Sequence, residues 1–356
     1  MKELTLMKGN EALAEAAIRS GCDAYFGYPI TPQSEVLEYL SLHAAKRTGM
    51  VVLQAESEVA AINMLYGAGG TGKKVMTSSS SPGISLMQEG ISYIACAEIP
   101  CLIVNVVRGG PGLGTIQPSQ GDYFQAVKGG GHGDYRLIVL APSTVQEMVD
   151  FVPKAFDLAF RYRNPVMILA DGALGQMMEK VELFEPIPRK TNIEPWATVG
   201  KPKTRQRNIL TSLHIEPDKM EQINIHLQNK YKKIQQNEVQ YESYKCDDAE
   251  IILTAYGLVA RICKKTADMA REKGIKVGVF RPITLFPFPY NQIRELANKV
   301  KGILDVEMNA GQMIEDVKLA IEGKVPVEFH GRMGGVVPTP DEILLKIEEK
   351  FVGELV

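Results

Sequence analysis

The chain has 356 residues, 45% of them hydrophobic and 23% charged, the make-up of an ordinary globular α/β protein. At roughly 150 residues per domain, this length holds about two domains. Lys and Arg number 40 against 42 for Asp and Glu, a net charge of −2 that argues against a general polyanion binder, because nucleic-acid-binding proteins concentrate basic residues.

Short β-branched runs at 51–54, 75–77, 102–107, 137–140 and 166–170 alternate with helical periodicity at 11–20, 32–46, 58–66, 84–95 and 145–161. This alternation predicts a mostly parallel sheet with helices on both faces. Ser143 stands just before a predicted helix with Glu147 near its first turn, and Gly21, Gly49 and Gly109 sit where elements should stop. From 184 the character changes to a proline-rich stretch and then a polar segment, 218–244, with helical spacing and few apolar residues. It reads as a linker carrying an exposed helix. A second α/β run follows, with strands at 251–255, 277–280, 303–306 and 325–329 and helices at 258–273, 291–299, 312–321 and 341–350. The expected organisation is an α/β domain over 1–185, a linker over 186–247, and a second α/β domain over 248–356.

The five cysteines, Cys22, Cys96, Cys101, Cys246 and Cys263, are odd in number and form no CxxC. A disulfide framework, an iron–sulfur cluster or a structural zinc site built by this chain alone is not expected. The opening MKELTLMKGNEALAEAA has acidic residues and no long apolar run, unlike a signal peptide. The most apolar stretch, 99–107, is far too short to cross a bilayer. A cytoplasmic location without membrane attachment is expected.

Three motifs act as decoys. Gly67-Ala-Gly-Gly-Thr-Gly72-Lys73-Lys74 matches GxGxxG and nearly matches a P-loop, but a predicted helix precedes it and a strand follows, the reverse of what phosphate binding needs. Lys74 also stands where Ser or Thr should ligate magnesium. Asp171-Gly172 resembles a fragment of a magnesium-diphosphate motif without its preceding Gly or downstream Asn. His132, in GGGHGDY, is a lone histidine with a structural role and a chemical one both open, and no His/Asp/Glu cluster suggests a metal site made by this chain.

Three polar segments fall at carboxyl ends of predicted strands or at helix starts, the edge where doubly wound sheets bind ligands. In Gly27-Tyr28-Pro29-Ile-Thr31-Pro32-Gln33, two prolines fix the backbone around a hydroxyl. Gln54-Ala-Glu56-Ser-Glu58 opens an otherwise apolar helix, and Val107-Arg108-Gly-Gly places an arginine at the end of a hydrophobic strand. Taken singly, each also fits a plain structural role: a cap, a first-turn acid favoured by the helix dipole, a strand end.

Together, YPITPQSEVLEYL, ESEVAAINMLYGA, TSSSSPGISLMQEGISY, VVRGGPGLGT and QGDYFQA resemble, in order, the α subunit of 2-oxoacid:ferredoxin oxidoreductases. RPITLFPFP, DVEMNAGQM and GRMGG are similar to that subunit's transketolase C-terminal-like domain, so the resemblance spans essentially the whole chain. GGGHGDY is most similar to the 2-oxoisovalerate (branched-chain) enzymes, with 2-oxoglutarate enzymes next. The resemblance implies a pyrimidine-type thiamine diphosphate-binding fold over 1–185 and a transketolase C-terminal-like fold over 248–356.

The resemblance also implies thiamine diphosphate chemistry. A carboxyl group beside the cofactor's pyrimidine ring promotes the tautomer that removes the thiazolium C2 proton. Glu58 matches that acid, and the apolar helix behind it suits the role; Glu56 is the competing candidate. Tyr28 and Pro29 match cofactor-binding positions. Thr31 and Arg108 match residues that hold the substrate's oxo group and carboxylate, tasks that suit a hydroxyl donor and a planar charged fork. Where the family writes TSGPG, this chain has Ser79-Ser-Ser-Pro-Gly83, with Ser80 or Ser81 replacing the first glycine.

With no full GDG…N motif and no cluster-type cysteine spacing, the chain reads as half an active site. The family implies a β subunit supplying magnesium and diphosphate contacts, and γ and ferredoxin-like δ subunits for coenzyme A handling and electron transfer. The substrates would be a 2-oxoacid, coenzyme A and ferredoxin. The competing readings are a non-catalytic scaffold subunit and a P-loop-type nucleotide binder.

Overall fold

The computed structural model describes residues 4–353. Seven strands form the larger sheet, in the order Thr284–Phe286, Ile138–Leu140, Pro165–Asp171, Cys101–Val107, Val75–Ser79, Ala24–Gly27 and Val51–Gln54. All neighbours are parallel except the first pair. Its centre, CLIVNVV, is wholly buried, the continuous apolar run that a strand covered on both faces requires; Asn105 is the polar exception. The helices pack in two groups: Gly9–Arg19 with Ser34–Thr48 and Val145–Tyr162, and Glu58–Gly69 with Pro82–Cys96. Helix Val145–Tyr162 starts where the Thr144 hydroxyl accepts the Glu147 N–H, and it stops at Arg163, whose φ is 47°.

The second sheet orders Val327–Gly331, Gly302–Glu307, Ile251–Thr254, Val277–Pro282 and Tyr241–Tyr244, the last antiparallel. A two-stranded ribbon pairs Leu4–Lys8 with Met178–Glu182. Among the described residues, no helix is long and apolar enough to cross a membrane.

Three expectations about organisation need correction. Residues 241–244 fall in the proposed linker, yet they form an edge strand of the second sheet. Conversely, Thr284–Phe286 lies in the proposed second domain but pairs with Ile138–Leu140 of the first sheet. Both strands are three or four residues long, too short to show periodicity. The linker helix Pro217–Asn237 is not simply exposed either: Leu227, Tyr231 and Ile234, at i, i+4 and i+7, bury a narrow stripe. Tyr231 meets Phe286 edge-on, and Lys230 donates to Glu98 Oε1 and Arg163 O, both at 3.1 Å.

Asp171, one of the sequence decoys, ends the strand Pro165–Asp171 and caps a short helix, its Oδ1 accepting the Ala173 and Leu174 N–H groups. Burial pushes this carboxyl up to about 6. Because the folded value exceeds the ordinary one of about 3.9, the protonated form favours the fold. That contribution is complete in acid and is lost as pH rises through about 6. Asp171→Asn keeps the acceptor and removes the ionisation. Its stability relative to wild type should therefore be higher at pH 8 than at pH 4, by a difference on the order of 2–3 kcal/mol. Thermal melts at both pH values measure this, and a pH-independent difference would remove Asp171 from the account.

Candidate active site

The carboxyl ends of the strands from Val51–Gln54 to Cys101–Val107 open onto the loops that carry the motifs. Glu58 begins the helix Glu58–Gly69, which Ser57 caps by accepting the Ala60 N–H at 3.2 Å. Its side chain is only 6% exposed, whereas Glu56, two residues earlier and outside the helix, is exposed. This difference favours Glu58 over its competitor for a role that needs a low-polarity setting.

The Glu58 carboxylate lies against the first turn of the helix Pro82–Cys96. A Cβ at Gly83 would fall 2.5 Å from Glu58 Oε1 and 2.0 Å from Ser79 Oγ, so the approach requires glycine there. Glu58 has no hydrogen-bond partner among the described residues, and the buried hydroxyls of Ser79 and Ser80 have none. Buried polar groups are ordinarily paired. A carboxyl and two hydroxyls left without partners beside a glycine-lined turn fit a polar heterocycle such as an aminopyrimidine.

Arg108 is 7% exposed, not a solvent-facing strand end. Its Nη1 donates to Thr31 O at 2.8 Å and its Nη2 to Leu113 O at 3.0 Å, tying together the 27–33 and 109–114 loops. The buried Nε has no partner. A guanidinium has five N–H donors, so capacity remains for a ligand carboxylate. Thr31 is exposed and meets Arg108 through its carbonyl. Tyr28 and Pro29 sit exposed in the same loop, where Gln33 Nε2 donates to Tyr28 O at 3.3 Å. Gln33 is in turn held by Ser78 Oγ at 2.6 Å, so buried polar side chains set this loop from beneath.

A cleft of about 420 Å³ lies between the two sheets' loops, lined by Arg108, Asp122, Met308, Asn309, Gln312 and Met333 among others. Glu58, Thr31, Tyr28 and Pro29 do not line it; of the expected site residues only Arg108 does. The second-sheet loop is shaped by Glu307. This buried carboxylate accepts backbone N–H groups of Gln312, Met313 and Ile314 and the side-chain amide of Asn309. Gln120, between the cleft-lining Ser119 and Gly121, joins the halves: its Nε2 donates to Tyr256 O at 2.9 Å and its Oε1 accepts the Met308 N–H at 3.0 Å. Tyr123 adds a 2.7 Å bond to Asp316.

Asp122, Asn309, Gln312 and Met333 are absent from the sequence-derived site. Their signal was present in QGDYFQA, DVEMNAGQM and GRMGG, but nothing in one dimension says that these segments meet. His132 is not brought to the cleft; it packs edge-on against Tyr93 and lines a separate cavity of about 100 Å³ with Cys96. The GxGxxG decoy turns between the helix Glu58–Gly69 and the strand Val75–Ser79, with no strand leading into it. Among the described residues, no three His, Cys, Asp or Glu side chains are placed to hold a metal ion.

The parallel-sheet unit and the second α/β unit that meets its loops make a transketolase-like fold. The fold resembles an inactive split-gene transketolase tetramer, with a TM-score of 0.61 at 14% identity over 97% of this chain and 98% of that one. Residues 15–247 match the family model "Pyruvate flavodoxin/ferredoxin oxidoreductase, thiamine diP-bdg", and 249–343 match "Pyruvate:ferredoxin oxidoreductase core domain II".

The chain belongs to the 2-oxoacid:ferredoxin oxidoreductase family, of the α-subunit type. It is 52% identical to ketoisovalerate oxidoreductase subunit VorB of Methanothermobacter marburgensis, over 97% of each chain. It is 36% identical to 2-oxoglutarate synthase subunit KorA of the same organism, over 98% of this chain and 99% of that one. A 2-oxoglutarate:ferredoxin oxidoreductase from Magnetococcus marinus, solved with 2-oxoglutarate, coenzyme A and succinyl-CoA bound, superimposes with a TM-score of 0.87 at 29% identity. That match covers 98% of this chain but only 65% of the solved one.

Proposed function

We propose that this chain is the α subunit of a branched-chain 2-oxoacid:ferredoxin oxidoreductase. The complex converts 2-oxoisovalerate, coenzyme A and oxidised ferredoxin to acyl-coenzyme A, carbon dioxide and reduced ferredoxin. The observation that carries the substrate reading is the cleft lining. Arg108 is its one cation among the described residues, Asp122 is its acid, and Met308, Ala310, Met333 and Pro111 give it apolar surface. A branched alkyl chain packs on such surface. The second carboxylate of 2-oxoglutarate would face Asp122 with no further cation from this chain, a repulsive element of the kind that sets specificity.

Thiamine diphosphate, when bound, supplies the nucleophilic carbon and the electron sink for decarboxylation. Glu58 would hold the pyrimidine ring nitrogen and exchange a proton with it, and its burial keeps bulk water from competing for that proton. Tyr28 and Pro29 would flank the ring. The Thr31 hydroxyl would donate to the substrate's oxo oxygen as charge develops there, and Arg108 would pair its carboxylate.

The reading places magnesium and diphosphate contacts on a β subunit, clusters on a ferredoxin-like δ subunit, and coenzyme A handling on a γ subunit, all in the cytoplasm. The exposed apolar side chains Val51, Leu53, Val59, Leu86 and Leu113, the last 83% exposed, support a partner chain over the Glu58 rim.

The test is to co-express the chain with its partner subunits and follow ferredoxin reduction with each 2-oxoacid. A higher kcat/KM for 2-oxoisovalerate than for 2-oxoglutarate is expected. The reverse order would overturn the substrate reading, and activity without any 2-oxoacid dependence would overturn the function.

A further inference from the structure

Ser81 forms the turn between the strand Val75–Ser79 and the helix Pro82–Cys96, with φ 23° and ψ −78°. L side chains rarely adopt this conformation, while glycine tolerates it. A strained residue persists only where its surroundings over-determine it, and such residues cluster at functional sites.

Three hydrogen bonds tie Ser81 to the strand Cys101–Val107 and to the Arg108 that follows it. Its N–H donates to Asn105 Oδ1 at 3.1 Å, its Oγ accepts the Arg108 N–H at 3.0 Å, and its Oγ donates to Arg108 O at 3.2 Å. Asn105, the polar exception in the central strand, is fully buried and donates through Nδ2 to Asp122 Oδ2 at 2.9 Å. Ser81, Arg108 and Asp122 all line the interdomain cleft.

We propose that Ser81 is a positioning residue for 2-oxoacid binding: its hydroxyl clamps both main-chain polar groups of Arg108 and, with Asn105 and Asp122, sets where the guanidinium enters the cleft. A hydroxyl that both accepts from and donates to one residue's backbone fixes the direction of that residue's Cα–Cβ bond. Nη1 and Nη2 are held by Thr31 O and Leu113 O, which belong to loops, and Nε is left unpartnered, so the Ser81 clamp is what anchors the main chain of Arg108 at the end of its strand. The Asn105 carbonyl oxygen and amide bridge the strained turn to Asp122, so the one polar residue of the central strand serves the cleft and not the core. This inference rests on the assignment of Arg108 to the substrate carboxylate.

Two variants separate the clamp from the strain. Ser81→Gly relaxes the backbone and loses the hydroxyl; Ser81→Ala keeps the strain and loses the hydroxyl. In the assembled complex, both should raise the KM for 2-oxoisovalerate by about tenfold, the loss expected for one hydrogen-bonded clamp, with kcat within about threefold of wild type. Ser81→Gly should nonetheless melt about 2 °C above Ser81→Ala, because it removes the positive-φ penalty.

A wild-type KM in Ser81→Gly with a raised KM in Ser81→Ala would make strain the whole effect and overturn the proposal. KM values within twofold of wild type in both variants would also overturn it. Failure of the underlying assignment gives a different result: Arg108→Ala would then leave the KM for the 2-oxoacid unchanged.

Discussion

Replacing Glu58 with glutamine should slow 2-oxoacid-dependent ferredoxin reduction by about 10²–10⁴-fold, the range that a positioned acid–base group contributes. Glutamine preserves the volume and shape of the side chain, so it fits the space against Gly83 and Ser79. What it lacks is a proton to exchange with a ring nitrogen. Because the Glu58 carboxylate has no hydrogen bond to lose among the described residues, the variant should assemble with its partners and melt within about 1 °C of wild type. Turnover measured on the purified complex, with gel filtration to show assembly, checks both halves of the expectation. Glu56→Gln is the matched control. Its side chain is exposed, and turnover close to that of wild type is expected. If Glu56→Gln carried the loss instead, the acid would be misassigned. If neither did, the scaffold reading would replace the catalytic one.

Arg108→Ala should raise the KM for the 2-oxoacid by about 10²-fold, as loss of charge-assisted hydrogen bonds of roughly 1.5–3 kcal/mol implies. The effect has two sources. The substrate carboxylate loses its cation, and the carbonyls of Thr31 and Leu113 lose the donors that tie their loops together. Arg108→Lys separates the two. It keeps the charge but cannot bridge two carbonyls and a carboxylate with a planar fork, so an intermediate KM is expected. Steady-state kinetics over a range of 2-oxoacid concentration distinguish the cases, and an unchanged KM in Arg108→Ala would remove this residue from the substrate site.

Much of the first sheet is legible in one dimension because its strands are continuous apolar runs flanked by helical periodicity. Strand Val51–Gln54 and helix Val145–Tyr162 fall within a residue of expectation. Strands Ala24–Gly27, Tyr241–Tyr244 and Thr284–Phe286 were not legible. None of them carries a Val/Ile run like the VVLQ of Val51–Gln54, and the last two are defined by pairing with distant strands. The linker helix misleads for a related reason: burial of Leu227, Tyr231 and Ile234 needs only a three-residue stripe, which a polar 21-residue helix conceals.

The candidate site divides in the same way. That Glu58 opens an apolar helix and that Arg108 ends a buried strand are local facts, and local sequence carries them. The Ser81–Asn105–Asp122 chain and the meeting of Asp122 with Asn309 and Met333 depend on contacts across up to about two hundred residues of chain.

The amino-acid order by itself carried the class of fold and the resemblance to the family, and it nominated Glu58 and Arg108 for the acid–base and carboxylate-binding roles, because hydrophobic periodicity and short motifs act over a few residues. The tertiary structure alone decided which glutamate is buried, which loops share a cleft, and that Ser81 bears a glycine-like backbone. Burial, cavity shape and over-determined strain are properties of surfaces brought together from distant parts of the chain, and no local pattern encodes them.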